Sequence, residues 1–475
     1  MSKNTTRDNN DPGNNDPGSN DPELGDDALF QRDADRVYQE LLARIGEGHP
    51  QPRLAATRRV VELLGDPQRA YPIIHVTGTN GKTSTSRITE SILRAYGLRT
   101  GLFTSPHLVR VNERILIDGE PITNEAFVAN YRDIKPYLDM VDAELRAAGD
   151  APLAFFEAFT ALAYASFADA PVDVAVIEVG LGGEWDATNV GDGQVAVFTP
   201  ISLDHTARLG NTVALIAATK AGIIKPAAAV VTATQPETSL AELERASELM
   251  EASLAVQGTA FELLSNTVAV GGQVISVRGL ASTYDDLFLP LFGDHQAQNA
   301  AVAIAAVESF LGGGEQMLVG DVLTEGIATV TSPGRLQVIG IEPTVILDAA
   351  HNPDGARSLA AALRTYFTFD EIVMVIGVLE DKDVTGIIDE LAPVTERFHV
   401  TRSSSDRAVA VDELARLTVD LTNQDAVFQY DSPSEAIAAA RAWAEKAPRR
   451  GVVITGSITL IGDALVLAAT EGWKR

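Results

Sequence analysis

The tightest constraint on this chain is a short stretch in which Ile73-Ile74-His75-Val76-Thr77 runs into Gly78-Thr79-Asn80-Gly81-Lys82-Thr83-Ser84, with a helical pattern from Ser84 to Tyr96 behind it. The first five residues are mostly apolar and rich in β-branched side chains, the pattern of a buried strand. Glycines at 78 and 81 let main-chain N–H groups come close to an anion, and a helix N-terminus adds positive potential. Lys82 can reach the β- and γ-phosphates of a nucleoside triphosphate, and the hydroxyl of Thr83 or Ser84 can ligate Mg2+. The usual spacing of such loops asks for glycine five positions before Gly81, where this chain has Val76, so the loop is a shorter variant. An ordinary strand-to-helix turn has little need of such a run. The loop therefore predicts ATP with Mg2+.

A strand and helix joined in this way belong to an alternating α/β chain, and the rest of the sequence agrees. Ile73–Thr77, Thr100–Thr104, Val172–Val179, Val195–Thr199 and Ala228–Thr232 read as buried parallel strands, with helices such as Ser84–Tyr96 and Asn124–Ala148 between them. That order predicts crossover units and a doubly wound, mostly parallel sheet. Residues 262–291 alternate about Gly271-Gly272 and predict a small antiparallel hairpin. A second cycle follows Ser332-Pro333-Gly334, with strands at Val345–Asp348, Ile372–Ile376, Phe398–Thr401, Val427–Tyr430 and Val452–Thr455. The expected division is a tail over 1–26, a first domain over 27–332, a hinge at 333–336 and a C-terminal α/β domain over 337–475. A chain of 475 residues is long enough for two cores.

The tail repeats Asn-Asp-Pro-Gly at 10–13 and 15–18 and has almost nothing apolar to bury, so it reads as disordered. Lys and Arg total 37 against 65 Asp and Glu, a net charge of -28 that repels nucleic acid and anionic lipid. Cysteine is absent, which removes disulfides and thiolate metal sites and suits the cytoplasm. No run approaches the ~18 apolar residues of a membrane span, and no secretion signal opens the chain. Neither nucleic acid nor membrane is an expected partner.

Two further carboxylate and histidine positions stand out. Glu178 closes an apolar strand and is followed by Gly180-Leu181-Gly182-Gly183, so it faces the crevice where such sheets bind ligands. One carboxylate beside phosphates is enough for Mg2+, which keeps much of its water; a pairing with a neighbouring arginine is the plainer alternative. Asp204-His205 follow the next strand at the same sheet end, although a single loop histidine is more often structural. Lys220, on a helical stretch, would by default be solvated.

Taken together, these segments resemble the Mur ligase superfamily. His75 to Thr83 is similar to its ATP loop. Ser105-Pro106-His107-Leu108, Asn112-Glu113-Arg114-Ile115, Glu178 to Gly183, Asp186-Ala187-Thr188-Asn189, Asp204-His205, Lys220-Ala221-Gly222-Ile223, Pro333-Gly334-Arg335 and Asp348-Ala349-Ala350-His351-Asn352-Pro353 look like its folate branch, the folylpolyglutamate and dihydrofolate synthases. The matches run in order from about residue 50 to 460.

The resemblance implies a P-loop-type central domain plus a smaller Rossmann-like C-terminal domain, working as a monomer. It implies ATP-dependent addition of L-glutamate to reduced folates, and to dihydropteroate, through an acyl phosphate. Gly78, Thr79, Asn80, Gly81, Lys82, Thr83 and Ser84 would hold the triphosphate, with Asn299, Arg335, Asp348 and His351 around the nucleotide. Ser105 and Glu178 would hold one Mg2+ and His205 a second, with Lys220 carbamylated into an anionic oxygen donor. Lys82, Lys220, His205 and Arg335 would carry the chemistry. Phe155, Phe156, Glu157, Trp185, Asp186 and Ala187 align with the segments lining the pterin pocket. Two departures are visible: Glu184 stands where the family usually has arginine, and Gly456-Ser457-Ile458-Thr459-Leu460 replaces Gly-Ser-Leu-Tyr-Leu. The charge reversal at Glu184 would bear on pterin or glutamate preference. The alternatives are another Mur-type amide ligase, which should carry a nucleotide-sugar domain before residue 70, a non-ligase ATPase, which would not need the Asp348–Pro353 motif, and a silent binding module, which would not need Glu178 and His205.

Overall fold

Alternate residues of the strand before the glycine loop go to opposite sides of a sheet. Ile73 packs with one set of helices, and Ile74 and Val76 pack with another. A computed structural model describes residues 30–46 and 51–473; the expected tail over 1–26 lies outside them.

The first sheet contains β1 (Ile73–Thr77), β2 (Thr100–Phe103), β3 (Ile115–Ile117), β4 (Glu120–Pro121), β5 (Val174–Glu178), β6 (Gly193–Phe198), β7 (Ala229–Thr232) and β8 (Ser253–Val256). Their order is β4-β3-β2-β5-β1-β6-β7-β8, parallel from β2 to β8 and antiparallel at the β3 and β4 edge. β1 and β5 are buried along their whole length, as central parallel strands covered on both faces must be. Helices Lys82–Ala95 and Asp294–Gly312 cover one face. Helices Gln31–Leu42, Ala55–Leu63, Asn124–Ala148 and Phe155–Asp169 cover the other. The Asn124–Ala148 helix has the bounds its sequence predicts: Thr123 caps its start by accepting from Ala126 N at 3.2 Å, and left-handed Gly149 stops it.

The segment expected as a hairpin is a three-stranded antiparallel sheet of β9 (Glu262–Ala269), β10 (Gly272–Arg278) and β11 (Thr283–Leu289). The Gly271-Gly272 turn is as expected. The third strand turns back because buried Glu308 accepts from Leu280 N at 2.6 Å and from Ala281 N at 3.2 Å, a partner too distant in sequence to anticipate.

The second sheet holds β12 (Gln337–Ile341), β13 (Thr344–Leu347), β14 (Glu371–Ile376), β15 (Arg397–Val400), β16 (Val427–Gln429) and β17 (Arg450–Thr455), in the order β12-β13-β17-β14-β15-β16. All neighbours are parallel except β12, an antiparallel edge strand that adds a sixth to the five expected. Helices Pro353–Tyr366, Val384–Leu391 and Val411–Leu421 pack on one face, Pro433–Ala444 and Ile458–Glu471 on the other. The C-terminal ends of β1, β5, β6, β13 and β14 converge on the seam between the two lobes.

Candidate functional site

Where β1 ends, the chain leaves the sheet through Gly78 at φ 150 and enters the helix through Gly81 at φ 89. A Cβ at Gly78 would meet Thr199, its carbonyl oxygen at 2.9 Å, and one at Gly81 would lie 2.6 Å from Asn299 Oδ1. Both glycines are thus required by close approach as well as by backbone angle. Thr79 N and Asn80 N donate to the Pro200 carbonyl at 2.9 and 3.4 Å, which fastens the loop to the end of β6. Lys82 Nζ donates to the Gly78 and Thr79 carbonyls, each at 3.1 Å. Burial lowers its proton affinity, and Glu178 and Asp204 oppose that.

The hydroxyls that follow have separate fates. Thr83 donates to Glu178, at 3.0 and 3.1 Å from its two oxygens, while Ser84 Oγ lies 3.1 Å from Ser332 Oγ at the lobe seam. Glu178 is buried, and burial pushes its carboxyl up against the opposing pull of Lys82, the Thr83 hydroxyl and the Ser105 N–H. A buried carboxylate of this kind, next to Ser105 and the Thr83 hydroxyl, has the hard-oxygen chemistry that suits a divalent cation. Among the described residues no three His, Cys, Asp or Glu side chains gather closely enough to hold a metal by themselves. Magnesium fits that arrangement because phosphate oxygens and water can complete its shell.

Lys220 is not the solvated lysine that its helix suggests. It is 4% exposed, and its Nζ donates to the Gly78 carbonyl at 2.7 Å. Burial, then the nearby Lys82 charge, push its proton affinity well below that of an ordinary lysine. His205 follows at left-handed φ 51 and is lowered to about 4, by burial and then Lys382.

The C-terminal lobe supplies the opposite wall. Asp348 follows β13 and accepts from Leu336 N and Ala350 N, both at 2.9 Å; burial pushes its carboxyl up and Arg335 pulls against that. His351 Nδ1 donates to the Ala349 carbonyl at 2.8 Å, so its Nε2 faces the seam as an acceptor. Asn352 caps the Pro353–Tyr366 helix, accepting from Gly355 N at 2.8 Å, and exchanges amide hydrogen bonds with Asn80 at 3.0 and 3.3 Å. At the other end of that helix, the Tyr366 hydroxyl lies 2.7 Å from Asp294 Oδ1 and from Gln273 Oε1 and accepts from Asn266 at 2.8 Å. One helix is therefore fastened to the first lobe at both ends.

These walls enclose a cavity of about 680 Å3 lined by the whole Gly78–Ser84 loop and by Ser105, Glu178, His205, Lys220, Asn299, Arg335, Asp348 and His351. It continues to Phe156, Glu157, Trp185, Asp186 and Ala187. Phe155 is the exception and corrects its expected place among the pocket residues. It is 3% exposed, stacked on Phe159 at 5.5 Å and under the Arg114 guanidinium at 5.2 Å. Adjacent residues on a helix point about 100° apart, so when Phe156 turns toward Gly180 and the cavity, Phe155 must enter the core. Glu157 and Asp186 reach the wall already engaged: Arg53 grips Glu157 with two bonds of 3.0 Å, and Asp186 accepts from Leu181 N and Thr188 N. Glu184 is exposed and lies outside the cavity lining, so the reversed charge does not face this space.

The sequence patterns do not single out Lys382, Arg53 or His295, and they include Asp204 and Asn352 in motifs without a role. His295 and Arg53 line the cavity, and Lys382 reaches Asp204. Lys382 lies beyond the end of β14 behind Glu380 and Asp381, so the strand-end rule that picked out Glu178 does not single it out. Among the described residues no helix is long and apolar enough to cross a membrane.

Comparison with known proteins gives the arrangement a lineage. Residues 156–307 match the Mur ligase middle domain, and residues 334–458 match the Mur ligase glutamate ligase domain. A dihydrofolate synthase/folylpolyglutamate synthase of Mycobacterium tuberculosis is 45% identical over 441 residues, covering 88% of this chain and 90% of that protein. A Lacticaseibacillus casei folylpolyglutamate synthase is 36% identical over 437 residues, covering 89% and 96%. The Mycobacterium tuberculosis folylpolyglutamate synthase solved with ADP superposes with a TM-score of 0.89 at 43% identity, covering 93% of this chain and 99% of the other. Escherichia coli FolC in complex with DHPP and ADP gives 0.80 at 29% identity, covering 92% and 98%. The chain belongs to the dihydrofolate synthase/folylpolyglutamate synthase family of Mur ligases.

Proposed function

We propose that this chain is an ATP-dependent ligase that joins L-glutamate to reduced folates, and to dihydropteroate, releasing ADP and phosphate. The observation that carries this reading is one continuous cavity with a glycine–lysine phosphate loop at its centre and an aromatic end at Phe156 and Trp185. Carboxylate oxygen is a poor leaving group, so the γ-phosphoryl group first moves onto the substrate carboxylate. The α-amine of glutamate then attacks the acyl phosphate carbon, and phosphate leaves with the C–O bond. Lys82 and Arg335 would stabilise charge on the transferring oxygens, and the Gly78–Ser84 amides would orient them. Asn299, Asp348 and His351 would hold the rest of the nucleotide. Two Mg2+ ions, held by Ser105 and Glu178 and by His205 with a carbamylated Lys220, would supply further compensation of phosphate charge. Carbamylation needs a neutral amine, and the depressed proton affinity of Lys220 supports that: its nitrogen bonds to the carbon of CO2 and loses a proton, leaving an anionic carbamate.

Closure of the residue 337–475 domain about a 333–336 hinge would exclude water, which otherwise hydrolyses the acyl phosphate. We place the enzyme in the cytoplasm, in keeping with a cysteine-free chain, and, from its likeness to the folate branch, as a monomer; sedimentation would test the second point. Purified protein given MgATP and labelled glutamate should incorporate label into both tetrahydrofolate and dihydropteroate. Incorporation with one acceptor alone would restrict the activity to it, and ATP turnover without incorporation would sink the ligase reading.

A further inference from the structure

Asp204 follows β6 in the first lobe and Lys382 follows β14 in the second, 178 residues away, yet Lys382 Nζ donates to Asp204 Oδ1 at 2.9 Å. The side chains are 12% and 8% exposed, a nearly dry ion pair. Asp204 Oδ1 also accepts from His205 N at 2.8 Å, Oδ2 accepts from Asn352 Nδ2 at 3.5 Å, and His351 Nε2 lies 3.9 Å away. Burial works against ionisation of Asp204, but Lys382 and the two histidines outweigh it and hold the carboxyl below the ordinary carboxylate range. Such a pair gives up as much hydration as it gains in attraction, so stability alone does not account for it. Its location does. His205, a cavity residue in the left-handed region at φ 51, has its backbone N–H held by this same carboxylate.

We propose that Asp204 is a positioning residue through which Lys382, arriving with the C-terminal lobe, fixes His205 toward the cavity, so that lobe closure and placement of His205 are a single event. The catalytic part rests on the reading of His205 as a metal ligand given above. The chain has no cysteine, so lobe separation can be read from fluorophores on Glu244→Cys and Glu413→Cys, two exposed helix positions, one in each lobe.

The variants are Asp204→Asn, Lys382→Met and the double variant, with Lys382→Arg to keep the charge and a thermal melt to confirm folding. Either single change should lower kcat at least about tenfold, since a displaced group costs that much or more. It should raise the Mg2+ concentration for half-maximal rate about tenfold and lengthen the interfluorophore distance, with KM for glutamate little changed. The double variant should be no worse than the poorer single one, and Lys382→Arg should restore most of the rate. Losses that multiply in the double variant would overturn the proposal. So would a raised KM for glutamate in Lys382→Met alone, which would make Lys382 a substrate contact. His205→Ala separates the two layers. If it keeps normal activity and Mg2+ response, the metal reading fails, and an unchanged fluorophore distance in Lys382→Met would then dispose of the clamp as well.

Discussion

The two lobes meet along two seams built from opposite materials. At the front, beside the phosphate loop, the contacts are polar: the Asn80–Asn352 amide pair at 3.0 and 3.3 Å and the Lys382–Asp204 pair at 2.9 Å. At the rear, Phe292 packs on Phe367 at 5.1 Å and on Tyr366 at 6.2 Å, Phe367 stacks on Phe369, and the Tyr366 hydroxyl bonds into three side chains of the first lobe. Polar contacts near a wet cavity exchange with water at a net difference of about 1 kcal/mol each. Aromatic burial has no such substitute. The front is thus the seam that water can replace and the rear the one it cannot.

The largest effect should come from the front, in chemistry rather than stability. Lys82→Ala should reduce ligation by about a thousandfold, as loss of a positioned charge does, with an unchanged thermal melt; near-normal ligation would break the assignment of the loop. Next, Phe292→Ala at the rear should lower unfolding free energy by about 3 kcal/mol, the low end for a phenylalanine truncation. Denaturant titration measures it, and a loss no larger than at the front seam would erase the contrast between the two. Tyr366→Phe keeps the ring and removes the hydroxyl from three polar partners, so a loss of about 1–2 kcal/mol is expected.

Asn352 sharpens the comparison further. Asn352→Ala should cost about 1 kcal/mol through the lost helix cap, whereas Asn352→Asp keeps the cap and removes the amide donor to Asn80. Nucleotide affinity should fall in both, as calorimetry would show, and the aspartate adds a repulsion with Asp204 in place of the lost cap. Acid is the mildest perturbation. Burial holds His205 and His351 near 4, below the ~6.5 of an unfolded histidine. The unfolded chain then binds more protons, so stability is complete above about pH 6.5 and drains away as pH falls toward 4. A melt at pH 6 should sit a few degrees below that at pH 8, and a higher melting point at pH 6 would contradict the sign.

How much of this the sequence disclosed depended on the distance over which each feature is determined. β1 and its loop were legible because five fully buried residues and two glycines act within a dozen positions. Glu178 was legible because a strand end dictates where its last side chain faces. Phe155 went astray by one helical step, a phase that only the packing of Phe156 against Gly180 decides. β11 and the Asp204–Lys382 contact depend on partners 27 to 178 residues away, and local patterning carries no trace of them. The exposure of Glu184 was hidden for the same reason, since composition cannot say which side of a loop meets water.

The helix from Pro353 to Tyr366 spans 14 residues, or about 21 Å at 1.5 Å per residue. With Tyr366 as the fulcrum, a swing of ~10° carries the Asn352 end through roughly 4 Å by simple arc length. That travel exceeds the reach of either amide bond to Asn80. The Asn80–Asn352 amide pair, at the far end of that lever, would therefore be the contact a small tilt parts first.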